Sequence, residues 1–169
     1  YKKKYYKNNV LGTLNLIKAI KNSSVKNFIF SSSAGVYGNI KTAAKETMKT
    51  KPINYYAWTK LKSEILIKEY SKKYNFNYAI LRYFNVAGAS PGGKIGIMNK
   101  KNNSLFKILA KQALKKKPVI NIFGNKHKTK DGTCLRDFIH VSDLATIHLK
   151  ALEVLNKKKK SFLINCGYG

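Results

Sequence analysis

A tyrosine and a lysine four residues apart, Tyr56 and Lys60, are the residues whose types and spacing could transfer protons. Residues four apart on a helix share one face, so the ammonium would lie beside the phenol. A nearby positive charge lowers the tyrosine pKa from about 10 and makes the phenol a usable acid or base near neutral pH. Ser33, which follows a short apolar segment, could hydrogen-bond the same oxygen. The spacing alone is much more often that of an ordinary amphipathic helix face, and it is the preceding strand with its serine that favours chemistry.

Apolar patterning predicts the elements that would position these three side chains. Helical spacing predicts helices over 6–20 and 52–74, and a third that follows a loop and ends at 115. A fourth would begin at a cap formed by Ser142 or Asp143 and end at 155. Short apolar runs predict strands over 27–31, 78–83, 119–123 and 162–165, with a loop over 86–103. Strands that alternate with helices predict a parallel α/β sheet with right-handed crossovers.

The serine, tyrosine and lysine in this order resemble the Ser/Tyr/Lys triad of the extended short-chain dehydrogenase/reductase family. Segments 8–13 and 82–89 resemble parts of the same family that meet its cofactor and sugar. Segment 131–141 is very similar to the corresponding stretch of UDP-glucose 4-epimerases. Because the resemblance covers nearly the whole chain in the same order, it implies the family's fold. That fold is a Rossmann-type doubly wound parallel sheet that binds NAD, with part of a smaller substrate-binding region.

The Gly-rich turn that binds a dinucleotide, with an acidic residue about 20 positions later, does not occur in these residues. The family's order would place that turn upstream of Tyr1. We therefore expect an internal fragment, which alone would not turn over. Residues 1–85 would be the C-terminal part of the NAD-binding domain. Residues 86–169 would combine substrate-binding elements with a returning Rossmann strand and helix, and would stop short of the family's full sugar-binding region.

The resemblance also implies roles for individual residues. Ser33, Tyr56 and Lys60 would carry the proton chemistry and, with Asn9, Tyr83 and Phe84, contact NAD. The residues implied to bind the UDP-sugar are Ser33, Tyr56, Asn85, Asn103, Ser104, Leu105, Asn121, Phe123 and Arg136.

Some of these roles have a specific physical reason and a specific alternative. Phe123 would pack on uracil and Arg136 would hold a diphosphate oxygen, since aromatic faces stack bases and guanidinium matches phosphate. Phe84 and Phe123 could instead be core aromatics, and Arg136 could form an ion pair with Asp137. Either Asn103 or Ser104 could take one hydrogen-bonding role, because the family's usual Asn-Leu pair is interrupted here.

The activity implied is inversion of C4 of a UDP-hexose, interconverting UDP-galactose and UDP-glucose. Tyr56 would remove the C4 hydroxyl proton while C4 gives hydride to NAD, and hydride would return to the opposite face. A 4-epimerase of another nucleotide sugar and a nucleotide-sugar dehydratase are the alternatives. A dehydratase needs acidic residues near Ser33, whereas the loop reads Ser33-Ala34-Gly35. The resemblance implies a homodimer for the full-length parent.

The net charge of +27 raises a different class of function, a basic nucleic-acid-binding module. Only two of the 34 basic residues are arginines, and the lysines are scattered along the chain, so we expect a solvated surface and no specific nucleic acid. The two cysteines and three histidines show no metal-ligand spacing, which favours free thiols and a cytoplasmic location. No apolar run approaches a membrane span.

Overall fold

Three parallel strands form the main sheet of the computed structural model, which describes residues 1–98 and 104–169. They are β1 (Asn27–Ser33), β2 (Asn77–Tyr83) and β5 (Phe162–Cys166), in the order β1-β2-β5. Two short strands, β3 (Asn85–Ala87) and β4 (Phe138–His140), pair in parallel beside them. All three strands of the main sheet therefore end at the same edge, where Ser33, Tyr83 and Cys166 lie in register.

The helices follow the strands as the apolar pattern predicts. The first helical stretch runs through α1 (Lys2–Tyr5), a π-helical turn (Tyr6–Leu11) and α2 (Gly12–Lys21). A 3₁₀ turn (Ala34–Tyr37) leaves β1, and a long loop leads to α3 (Tyr55–Tyr74). The remaining helices are α4 (Leu105–Ala113) and α5 (Val141–Lys158).

Helices cover both faces of the main sheet, because side chains alternate along β2. Ile80 packs with Ile17 and Ile67 of α2 and α3 on one face. Leu81 packs with Leu155 of α5 on the other. Each cluster removes several large apolar side chains from water, which stabilises the layers by about 25 cal/mol per Å² of apolar surface buried.

The first helical stretch begins at Lys2 and not at residue 6, and α4 ends at Ala113 and not at residue 115. Three further helix boundaries differ from the predicted ones for local reasons. Helix α3 begins at Tyr55 and not at residue 52, because the Asn54 side chain accepts the Ala57 N–H at 2.8 Å and caps the first turn. The cap of α5 is His140, whose Nδ1 accepts the Ser142 N–H at 3.2 Å. That helix continues past 155 to Lys158, where Lys159 takes the left-handed conformation.

The predicted strand 119–123 is wrong. Val119 and Ile122 are exposed, and no described strand pairs with this segment. A strand is stable only when a neighbour completes its backbone hydrogen bonds, so apolar composition alone was insufficient. Conversely, the short strand β3 takes up the first two residues of the predicted loop, a pairing that the sequence pattern missed because its neighbour β4 becomes adjacent only in the fold. Among the described residues no helix is long and apolar enough to cross a bilayer.

Candidate active site

The structure brings Ser33, Tyr56 and Lys60 together at the carboxyl edge of the main sheet. Ser33 ends β1, and its Oγ accepts the Gly35 N–H at 3.1 Å, so its own proton is directed elsewhere. Its hydroxyl lies near the phenol of Tyr56, in the first turn of α3, and acts to lower the pKa of that phenol. The strand end and the capped helix start together place the two hydroxyl groups near each other.

Tyr56 is 36% exposed and lies among other aromatic residues. The ring of Tyr5 meets it edge-on, with centroids 5.8 Å apart. Burial raises the pKa of Tyr56 above 10.0, as do the neighbouring Tyr83 and Tyr5 phenols, while the Ser33 hydrogen bond acts in the opposite direction. The predicted lowering of this pKa by Lys60 is therefore wrong, because desolvation of the phenol is the largest contribution.

The Lys60 ammonium is bound elsewhere and is not among the groups that shift the Tyr56 pKa. Its Nζ donates to the Ser31 carbonyl oxygen at 2.9 Å. It also lies 5.1 Å from the ring centroid of Phe30 and 5.8 Å from that of Tyr56. Burial lowers the pKa of Lys60 itself. The lysine thus lies over the tyrosine ring and is anchored to the backbone of β1.

The other residues implied to contact a cofactor surround this cluster. Tyr83 ends β2 and is half-buried, and the Phe84 N–H continues the sheet by donating to Cys166 O at 3.2 Å. Asn9 lies in the π-helical turn, and its amide donates to Thr59 Oγ1 at 2.9 Å. The backbone carbonyl oxygen of Asn9 accepts a hydrogen bond from Thr13 Oγ1 at 2.6 Å. The described contacts of Asn9 therefore tie the first helical stretch to α3.

Arg136 and Phe84 line a cavity of about 920 Å³ beside the sheet edge. The alternative of an Arg136–Asp137 ion pair is wrong, because no such pair occurs among the described residues. The Asp137 carboxylate instead accepts the backbone N–H of Tyr168 at 3.1 Å. Asn85 joins the same corner, where its Nδ2 donates to Asp137 O at 2.9 Å.

The remaining predicted substrate residues lie outside this cluster. Phe123 is 96% exposed, so the alternative that it is a core aromatic is wrong. Asn121 is exposed too, and no described contact links either residue to Tyr56. Ser104 caps α4 and Leu105 begins it. Asn103 lies outside the described residues.

Sequence reasoning missed a buried polar network directly beneath the site. Glu64 of α3 and Arg82 of β2 form an ion pair with side chains 1% and 4% exposed. Asn165 of β5 holds the loop between the 3₁₀ turn and α3, donating its backbone N–H to Glu46 Oε1 at 2.8 Å. A usable signal existed, since Arg82 is one of only two arginines and lies in an otherwise apolar strand.

The described cysteines and histidines form neither a metal site nor a disulfide. Within residues 1–98 and 104–169 no group of three or more His, Cys, Asp or Glu side chains could hold a metal ion. Both cysteines are free thiols, as predicted; Cys134 is exposed and Cys166 is buried. Burial raises the pKa of the Cys166 thiol to about 11 and makes it a weak nucleophile.

Comparison with known proteins agrees with the geometry. Residues 1–167 match the NAD dependent epimerase/dehydratase family. The chain belongs to this family. Among curated members of the family, the UDP-glucose 4-epimerase of Azospirillum brasilense is 41% identical over 166 residues, which are 98% of this chain and 48% of that protein. The UDP-glucose 4-epimerase of Dictyostelium discoideum is 42% identical over 170 residues, 98% of this chain and 49% of that protein. The chain spans about half the length of the curated relatives it matches.

Solved structures of epimerase family members share the fold. UDP-glucose 4-epimerase from Brucella ovis in complex with NAD superposes with a TM-score of 0.87 at 36% identity, over 96% of this chain and 50% of that one. The UDP-Glc/GlcNAc 4-epimerase of Campylobacter jejuni has a TM-score of 0.77 at 41% identity, over 100% of this chain and 52% of that one. The predicted Rossmann-type parallel α/β fold and the resemblance to UDP-glucose 4-epimerases are thus confirmed.

Proposed function

We propose that the full-length protein containing residues 1–169 is an NAD-dependent 4-epimerase that interconverts UDP-galactose and UDP-glucose. The observation that carries the proposal is the Ser33–Tyr56–Lys60 cluster at the carboxyl edge of a parallel sheet. The identity of 41% to a UDP-glucose 4-epimerase over nearly the whole chain supports the same activity. Ligands of open α/β sheets bind at this edge, so the cluster lies where a substrate would meet it.

The donors at this edge fit a dinucleotide. The Lys60 ammonium has three N–H donors, and the Ser31 carbonyl takes one of them. A Cβ at Gly35 would lie 3.3 Å from Ser33 Oγ, so the glycine leaves room for the cofactor to approach that hydroxyl. Asn9, Tyr83 and Phe84 would complete the NAD contacts together with Ser33, Tyr56 and Lys60. When bound, NAD supplies reversible hydride transfer at the sugar C4.

The chain's own residues would transfer the proton of the C4 hydroxyl. Tyr56 takes the proton of the C4 hydroxyl and later returns it, acting as base and then acid. Ser33 holds the phenol oxygen and stabilises its anion by hydrogen bonding. Lys60 lies over the Tyr56 ring and is anchored to Ser31 O, so its remaining N–H donors would orient the cofactor. Because burial opposes ionisation of Tyr56, the phenolate depends on the Ser33 contact, which acts in the opposite direction.

Substrate binding would use the cavity that Arg136 and Phe84 line. Arg136 matches the geometry of a diphosphate, and Asn85 hydrogen-bonds Asp137, another residue of the cavity wall. Phe123 offers an exposed aromatic face for uracil. Asn121 and the α4 start, with Asn103, Ser104 and Leu105, would complete the UDP contacts.

A wider sugar range is the second candidate. The Campylobacter jejuni protein, named for both UDP-Glc and UDP-GlcNAc, is 41% identical to this chain. An N-acetylated UDP-sugar therefore belongs in the same test. A dehydratase is disfavoured because Ser33, Ala34 and Gly35 supply no carboxylate.

Residues 1–169 alone do not turn over, since they contain no Gly-rich dinucleotide turn. Residues 1–85 belong to the NAD-binding domain, whereas 86–169 mix substrate-binding elements with the returning strand and helix. The full-length parent is a cytoplasmic homodimer. It binds no specific nucleic acid, because its lysines are scattered and only two arginines are present.

The test is conversion of UDP-galactose to UDP-glucose by the full-length protein without added NAD, beside Tyr56→Phe. Conversion by the parent and its loss in Tyr56→Phe are expected. No conversion of UDP-galactose or its N-acetylated counterpart by a folded, NAD-loaded parent would overturn the proposed activity. Stoichiometric NAD on purified residues 1–169 would contradict the inactivity of this portion.

A further inference from the structure

A buried ion pair lies directly beneath the candidate active site. Arg82 donates through Nε to Glu64 Oε1 at 2.9 Å and through Nη2 to Oε2 at 2.5 Å. Ser32 Oγ donates to the same carboxylate at 2.5 Å. Within the described residues this is the only ion pair. Buried charges are retained only when hydrogen bonds satisfy them, and this carboxylate accepts three.

Each member of the network adjoins a residue of the site. Ser32 precedes Ser33 on β1, and Arg82 precedes Tyr83 on β2. Glu64 lies four residues after Lys60 on α3, one helical turn away on the same face. The three elements that carry the site are therefore bonded to one another through a single carboxylate.

The network also extends across the sheet. Ser32, Arg82 and Asn165 lie side by side in register on β1, β2 and β5. The Arg82 guanidinium stacks on the Tyr37 ring, 4.8 Å from its centroid. The Tyr37 hydroxyl then donates to Asn165 Oδ1 at 2.8 Å. The 3₁₀ turn that follows Ser33 is thus fixed by the same guanidinium.

We propose that the Glu64–Arg82 ion pair positions Ser33, Tyr56 and Lys60 by locking α3 against β1 and β2; this role rests on the proposed function of the site. A buried ion pair adds little net stability compared with an apolar pair of similar volume, so stability alone does not explain it. The fixed fork of the guanidinium instead sets the orientation of α3 relative to the two strands. Catalysis needs such an orientation, because small misplacements of reacting groups lower rates strongly.

The decisive variant is Glu64→Leu/Arg82→Met in the full-length protein, which replaces both charges with apolar side chains and leaves neither unpaired. The expected result is a cooperatively unfolding, NAD-loaded protein whose kcat falls at least about tenfold while KM changes by less than about threefold. Ser71→Ala is the matched control, since Ser71 is buried on the same helix but its side chain donates to Lys68 O within that helix. It should keep the parental kcat.

A second readout does not depend on activity. Four groups face the Tyr56 phenol: Ser33 from β1, Lys60 from α3, Tyr83 from β2 and Tyr5 from α1. If the ion pair holds Ser33 against the phenol, the double variant should titrate Tyr56 at higher pH than the parent. Carbon-13 NMR of ring-labelled tyrosine measures this, with the Tyr56 signal assigned by its loss in Tyr56→Phe.

The outcomes separate the two proposals. A parent that converts no UDP-sugar sinks the proposed function, while the Tyr56 titration still decides the positioning role. A folded double variant with parental kcat and an unshifted Tyr56 titration overturns the positioning role. If the double variant does not fold, Glu64→Gln decides in its place, since it removes the charge at nearly constant volume. The same fall in kcat and upward titration shift are then expected, and parental values for both overturn the role.

Discussion

The Lys60 ammonium is hydrogen-bonded to the backbone carbonyl oxygen of Ser31 at 2.9 Å and lies over the Tyr56 ring, 5.8 Å from its centroid. Its charge is held in a partly buried position, where burial lowers its pKa. Holding a charge in such a position costs folding free energy.

Lys60→Met should therefore raise the thermal stability of the protein at pH 7. A lowered folded pKa means that folding disfavours the charged lysine, so the native lysine opposes folding most at low pH. This penalty disappears as pH rises past the unfolded pKa of about 10.4. Thermal melts from pH 6 to 10.5 measure the effect, and the advantage of the variant should shrink towards high pH. Equal stability at pH 7, or an advantage that grows with pH, would show that burial of the charge is not the dominant effect.

Tyr56→Phe should abolish most conversion, with kcat lowered about 10²- to 10⁴-fold, the range for a lost general acid or base. Folding and NAD content should be unchanged, because the variant keeps the ring that contacts Tyr5. Tyr70→Phe is the control, since Tyr70 lies on the same helix and packs on Tyr74. Steady-state kinetics with both variants tests this; comparable losses in the two would argue against a role specific to Tyr56.

Arg82→Met should destabilise the fold by about 3–5 kcal/mol, because it leaves the Glu64 carboxylate buried without its counter-charge. The exposed Arg136 provides the contrast, and Arg136→Met should change stability by less than about 0.5 kcal/mol. Urea denaturation of both variants gives the two values. Similar values for the two arginines would mean that water reaches Glu64.

Gly38→Ala should destabilise more than Gly92→Ala, although both glycines have positive φ, 74° and 79°. A Cβ at Gly38 would collide with the Lys51 carbonyl oxygen, whereas one at Gly92 meets nothing within 4 Å. The second variant should cost about 1 kcal/mol from backbone strain alone, and the first at least about 3 kcal/mol. Chemical denaturation distinguishes them, and equal costs would mean that the loop after β1 moves freely away from residue 51.

The parts predicted from sequence are those with local signals. Tyr56 and Lys60 share a helix, and Ser33 follows an apolar strand, so spacing and strand ends located all three. The hydrogen-bond partners of Glu64 and Asn165 could not be predicted in this way. Asn165 bonds Glu46 across 119 positions, and no local pattern encodes such a contact. The direction of the Tyr56 pKa depends on burial, which likewise arises only from packing. Segment 119–123 failed because apolar composition does not reveal whether a neighbouring strand is present.

The π-helical turn at Tyr6–Leu11 holds one residue more than an α-helical turn, between two stretches of α-helix. Its hydrogen bonds span five residues and not four, so deleting one residue there would leave regular α-helix with both flanks in their present orientation. The same deletion within α2 would rotate everything that precedes it by about 100°. Tyr5 would then leave the edge of Tyr56, and Tyr6 would leave Trp58. The π turn is therefore where the first helical stretch can lose a residue with the least change in how its aromatic rings meet α3.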